Sequence, residues 1–66
     1  MNYTKGQKVR CRYGCLWLFG VIDEVKDNDY YECSYGSRKQ FERQEYGYPL
    51  NFFADFHKTD LKPFNQ

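Results

Sequence analysis

Leu16-Trp17-Leu18-Phe19-Gly20-Val21-Ile22-Asp23-Glu24-Val25 is the stretch on which the fold turns. Leu16, Leu18 and Ile22 occupy one phase of an extended chain and Trp17, Phe19 and Val21 the other, so a strand here is apolar on both faces. One face can enter a core. The other must be covered, because Trp17 and Phe19 would otherwise form an exposed apolar patch. Gly20 sits mid-strand, where a missing side chain permits a sharp bend or the close approach of a neighbouring backbone.

Upstream, Gly6-Gln7 opens a turn, and Val9, Cys11 and Tyr13 then alternate with Lys8, Arg10 and Arg12 at the period of a half-buried strand. Tyr13-Gly14-Cys15 is a tight break before the long strand. Downstream, Lys26-Asp27-Asn28-Asp29 has the composition of a hairpin turn. A third strand is predicted over Tyr30 to Tyr35, with Tyr31, Cys33 and Tyr35 in one phase and Tyr30, Glu32 and Ser34 in the other. Gly36-Ser37 turns again, and Arg38 to Arg43 is predicted as a fourth strand carrying Phe41. Short strands joined by short turns indicate an all-β barrel or sandwich.

Residues 44–55 break this rhythm and are too apolar for a free loop. We expect this aromatic insertion to fold back over the long strand, with Tyr46, Tyr48, Leu50, Phe52, Phe53 and the following Phe56 making a small second core on Trp17 and Phe19. The other possible cover is a partner, either a second copy or a different protein. Phe56-His57-Lys58 is predicted as a last short strand, and Thr59-Asp60-Leu61-Lys62-Pro63 as one helical turn stopped by proline.

A chain of 66 residues is a single domain, 1–66, with little surface to bury. Aromatics are 21% of it, so a few large rings must supply the core. The formal charge of +1 provides no global attraction to nucleic acid or membrane. No apolar run approaches the roughly 20 residues of a membrane span, and Met1-Asn2-Tyr3-Thr4-Lys5-Gly6 lacks the apolar region of a signal peptide, so a cytoplasmic location is expected. Cys11, Cys15 and Cys33 are odd in number and form no Cys-x-x-Cys pair, and His57 is the only histidine. Buried thiols are therefore expected in place of a disulfide framework or zinc site. No nucleophile and base pair, glycine-rich phosphate loop or metal-ligand cluster is visible, so the sequence reads as non-enzymatic, without cofactor or metal.

With the strands placed, the sequence resembles a Tudor-type domain over nearly its whole length. The likeness is carried by Gly6-Gln7-Lys8-Val9-Arg10-Cys11-Arg12-Tyr13, by Gly20-Val21-Ile22-Asp23-Glu24-Val25, by Cys33-Ser34-Tyr35-Gly36 followed by Gln40-Phe41, and by Thr59-Asp60-Leu61-Lys62-Pro63. It implies a small SH3-like, Tudor-like barrel of five strands, here with an aromatic-rich insertion before the last one. Many such domains hold methylated lysine or arginine in a cage of rings, and the matching positions are Tyr13, Tyr35 and Phe41. Two features depart from that pattern. Leu18 stands where the family commonly has a fourth aromatic, and the loop Gly36-Ser37-Arg38-Lys39 is basic where readers of methylated side chains carry an acid. The three rings can equally be part of the core or its edge.

These observations give an ordered set of expectations. The leading one is a module that binds a protein or peptide through Tyr13, Trp17, Phe19, Tyr35 and Phe41, as a monomer or homodimer and without membrane contact. The alternative is nucleic-acid binding along a basic strip of Lys8, Arg10, Arg12, Arg38 and Lys39 with interleaved rings. Against it stand Asp23, Glu24, Asp27, Asp29 and Glu32, clustered about one hairpin. Methyl-lysine or methyl-arginine reading is a further alternative. The chain also reads as free-standing, as for a phage or mobile-element protein that occupies a host protein, such as a defence enzyme, in the host cytoplasm; a eukaryotic Tudor module would instead be nuclear.

Overall fold

The computed structural model describes residues 2–66. β1 (Lys8–Tyr13) and β2 (Leu16–Val25) form a continuous antiparallel ladder from Lys8 opposite Val21 to Tyr13 opposite Leu16. Gly14 and Cys15 make the turn between them, with Gly14 at φ 63°. β3 (Tyr30–Gly36) returns along β2 after a turn in which Asn28 and Asp29 have φ of 59° and 64°. A tight hairpin matched to strand twist needs positive φ at both central positions, and Asn and Asp tolerate it better than other side chains. A bulge between Ile22 and Glu24 breaks the β2–β3 register.

β4 (Phe52–His57) pairs with β3 over its whole length, and β5 (Leu61–Pro63) pairs with β1. The result is one all-β sheet of five antiparallel strands in the order β4-β3-β2-β1-β5. This order is compatible with an SH3-like fold. The sheet is not closed into a barrel: β4 and β5 each have one side without a strand neighbour.

The strand phases follow the sequence. Val9, Cys11, Ile22, Tyr31, Cys33, Phe56 and Leu61 face inward and form the core with Tyr3, whose ring meets Tyr31 edge-on at 5.4 Å. Burial, and secondarily the neighbouring Tyr31, push the Tyr3 phenol above its ordinary pKa. Gly20 is required where it stands. A Cβ added there would lie 2.7 Å from Cys11 Sγ and 2.9 Å from the Ser34 carbonyl oxygen, so the bare backbone lets β1, β2 and β3 close over the two buried thiols.

Several sequence expectations are corrected. Arg38–Arg43 is not a strand: α1 spans Arg38–Glu42, and a 3₁₀ turn follows over Arg43–Tyr46. Ser37 caps the helix by accepting from the Gln40 N–H, while the Gln40 side chain accepts from the Ser37 N–H at 2.9 Å, and Arg38 pairs with Glu42 at 3.4 Å. This capping box satisfies backbone donors that a strand would need a neighbour to satisfy. Gly47, left-handed at φ 86°, ends the excursion.

The fourth strand is instead Phe52–His57, drawn mainly from residues predicted as insertion, so the irregular segment before it runs over 38–51. Thr59 to Pro63 divides in two. Lys58–Asp60 is a 3₁₀ turn in which the His57 side chain accepts from the Thr59 N–H, and Leu61–Pro63 is a strand, because Leu61 belongs to the core and draws the backbone alongside β1.

Candidate binding groove and the cation-covered face

The inner face of the sheet extends beyond its core. Past Cys11, Gly20 and Cys33, the inward phase continues into Tyr13 on β1, Leu16 and Leu18 on β2, Tyr35 on β3 and Phe52 on β4. This end is only partly covered: Leu18 and Tyr35 are half-buried, while Tyr13 is 60% exposed, Leu16 63% and Phe52 54%. The rings are nonetheless ordered against one another. Tyr13 stacks on Tyr35 at 6.0 Å and 25°, Tyr35 lies 6.0 Å from Phe52, and the Tyr35 ring stands edge-on to buried Phe56 at 5.5 Å.

Together Tyr13, Leu18, Tyr35, Gly36, Ser37, Gln40 and Phe52 line an open groove of about 300 Å³. No Asp, Glu, Lys or Arg is among these lining residues. The arrangement offers flat apolar area, the hydroxyls of Tyr13, Tyr35 and Ser37 and the Gln40 amide, which suits an uncharged segment better than a cation.

Tyr13 and Tyr35 therefore come together as the sequence indicated, whereas Phe41 does not join them. It is buried on the far side of α1, 6.0 Å from Phe19 and 5.3 Å from Phe64. Its place beside Tyr35 is taken by Phe52. The sequence carried a signal for this residue: Phe52, Ala54 and Phe56 are apolar at a period of two, the mark of a half-buried strand.

Trp17 and Phe19 lie on the opposite, outer face, and the expected cover by residues 44–55 does not form. Tyr46, Tyr48 and Phe53 are exposed. The cover comes from the neighbouring strand. Register places Arg10 opposite Phe19 and Arg12 opposite Trp17. The Arg10 guanidinium lies 4.0 Å from the Phe19 ring centroid and donates to the Trp17 carbonyl at 2.9 Å and the Leu18 carbonyl at 3.3 Å. Arg12 lies 5.9 Å from the Trp17 ring and the Lys62 ammonium 4.3 Å from it. Phe41 and Phe64 close the rest of Phe19. Cations over ring faces are favourable contacts, and their stems cover apolar area while their heads stay wet.

The basic strip is thus largely engaged. Arg12 is ion-paired with Asp60 at 2.6 Å, Arg38 with Glu42, and Arg10 with the two carbonyls. Lys8 rests over Phe41 at 5.8 Å, and Lys39 is exposed on α1. The acidic residues gather at the β2–β3 hairpin as the sequence suggested, but cations are set among them. Lys26 lies 3.5 Å from both Glu32 and Asp55, which raise its pKa, Asp55 most, and Lys58 pairs with Asp29 at 3.3 Å.

His57 packs edge-on to Tyr30 at 5.2 Å, and its Nδ1 accepts from the Thr59 N–H, a capping role. Cys11 and Cys33 are buried free thiols, and Cys15 is exposed in the β1–β2 turn. A hydrogen bond with Cys11, and then burial, push the Cys33 thiol pKa upward. Among the described residues no three His, Cys, Asp or Glu side chains are grouped to hold a metal ion. Among the described residues no helix is long and apolar enough to cross a membrane. Comparison of the chain with protein-family models, curated proteins and solved structures finds no match.

Proposed function

We propose that this chain is a non-enzymatic binding module that takes an extended, uncharged segment of another protein in the groove of Tyr13, Leu18, Tyr35 and Phe52. The observation that carries this reading is the contiguous row of Tyr13, Tyr35 and Phe52, which continues the core face toward solvent and leaves Tyr13 and Phe52 more than half exposed. Covering the exposed halves of two such rings removes roughly 200 Å² from water, on the order of 5 kcal/mol at about 25 cal/mol per Å², before the costs of association. That suits a reversible contact. Tudor-like ancestry and a role in occupying a host protein belong to the same proposal, with the groove as the occupying surface.

Methyl-reading is the weaker variant, since no carboxylate lines the groove to complement a cation. Nucleic-acid binding is weaker too, because Arg10, Arg12 and Arg38 already have partners, and a phosphate would have to compete with them.

Selection of a displayed random dodecapeptide library on the immobilised protein tests the groove. Selected peptides should lose affinity by at least about tenfold with Tyr13→Ala and with Phe52→Ala, each a loss of about 1.4 kcal/mol. Tyr46→Ala and Lys8→Ala should leave it unchanged. Peptides indifferent to Tyr13 and Phe52 would refute the assignment.

A further inference from the structure

The outer side of β4 is a free sheet edge. Lys58 donates its N–H to the Asp29 carbonyl at 2.8 Å, which makes these opposed residues a hydrogen-bonded pair. Such pairs alternate along an antiparallel ladder, so Phe56, Ala54 and Phe52 bond to β3 through Tyr31, Cys33 and Tyr35. The N–H and C=O groups of Phe53, Asp55 and His57 then point away from β3, and no strand lies beside them. Phe53, 71% exposed, flanks this edge on the outer face. Free edges of this kind are templates for pairing with another chain.

The sheet's other edge, β5, is three residues long and ends at Pro63, which has no N–H. It offers no room for a strand of six residues. A β4-to-β5 contact in an open series would pair three residues at most, so the fuller contact between copies is β4 against β4. That contact is two-fold and closes at two.

Charge disfavours one register, and side-chain size favours another. An axis through Asp55 would set two carboxylates face to face, an unfavourable cross-strand pair. An axis through Ala54 places Phe53 opposite Asp55 of the second copy and leaves each Asp55 beside its own Lys26. It also puts the smallest side chain of β4 at the non-hydrogen-bonded pair, where opposed Cα atoms approach most closely.

We propose that two copies of this chain pair antiparallel through β4 about an axis at Ala54, joining their five-stranded sheets into one. A contact through one strand edge falls below the roughly 1,000 Å² of a stable interface, so the dimer is reversible and fills only at high protein concentration. It does not depend on the peptide groove, and either reading can fail alone.

Sedimentation velocity of the full chain from about 5 µM to 1 mM should show the weight-average mass climbing from 8.1 kDa toward twice that value. Phe53→Lys, which puts a charge on the edge and removes its exposed ring, should raise the dissociation constant by at least about tenfold. In the unaltered protein, amide exchange at Phe53, Asp55 and His57 should slow as concentration rises, while Phe52, Ala54 and Phe56 do not change. This second measurement decides the matter if Phe53→Lys fails to fold. A mass fixed at 8.1 kDa up to about 1 mM, or a dimer in which these three amides exchange as in the monomer, overturns the proposal.

Discussion

Gly20→Ala is the substitution with the most information per atom added. The new methyl group would sit 2.7 Å from Cys11 Sγ and 2.9 Å from the Ser34 carbonyl oxygen, both inside contact distance. The thiol can rotate. The carbonyl belongs to β3, which is held between β2 and β4, so relief requires a strand to move. Overpacking a core costs about 1–3 kcal/mol, and a fixed backbone partner places this case in the upper half of that range. The conformational gain of Ala over Gly in a strand offsets about 0.5–1 kcal/mol, leaving a net loss of about 2 kcal/mol. For a domain of this size each kcal/mol moves Tm by about 4–8 °C, so a fall of about 8–16 °C is expected.

Cys11→Ala removes the thiol but not the carbonyl. In that background Gly20→Ala should cost about 1 kcal/mol less, yet still destabilise. Thermal and urea unfolding of the four proteins, followed by circular dichroism, measures the whole cycle. A Tm for Gly20→Ala within about 2 °C of the parent, or strict additivity with Cys11→Ala, would show that the strands do not close over Gly20 in this way.

Two further outcomes are expected. Ser37→Ala removes the cap of α1 and should cost about 1 kcal/mol, whereas Ser37→Asp should retain most of it; equal losses for the two in thermal unfolding would mean that the cap does not hold the helix. Stability should also fall at alkaline pH. Folding raises the pKa of the Cys33 thiol from 9.0 and of the Tyr3 phenol from 10.0, so the folded state binds these protons more tightly than the unfolded one. Their contribution is complete below the unfolded values and is lost as pH rises through the folded ones. Lys26, raised from 10.5 by Asp55 and Glu32, acts in the same direction. The urea midpoint should be level with respect to these groups up to about pH 9 and decline beyond it, and Tyr3→Phe should remove part of the decline; a midpoint that rises between pH 9 and 11 contradicts this sign.

The sheet was legible where side chains alternate. Lys8 to Tyr13, Leu16 to Val25 and Tyr30 to Tyr35 were readable because burial on one face imposes a period of two, and the place of Gly20 followed from the same geometry. The segment after Gly36 was misread for the opposite reason. Phe41 alone sets no period, and the deciding information was the pairing of Ser37 with Gln40, a capping signal rather than a hydrophobic one.

Phe52 was missed as a groove residue because aromatic density over 44–55 was read as a second core, although Phe52, Ala54 and Phe56 already alternate. The partners of Arg10 were not visible in sequence. They are main-chain carbonyls of the adjacent strand, which depend on register rather than residue type.

The two faces of β2 meet the same requirement by different means, and this sets where a ligand can bind. On the outer face, cations from β1 and β5 lie over Trp17 and Phe19, and Phe41 of α1 and Phe64 close the rest of Phe19. Residues 44–51 are therefore not required as a lid. On the inner face the core ends near Gly20, and the strands continue for several residues beyond it with Tyr13, Leu16, Leu18, Tyr35 and Phe52 still facing inward. Stacking of Tyr13 on Tyr35 orders those rings before any ligand arrives, which lowers the entropy that binding must overcome. An outer face covered by cations and by Phe41 and Phe64, beside an inner face left open by the end of the core, makes the open groove, rather than the basic strip, the surface best suited to a partner.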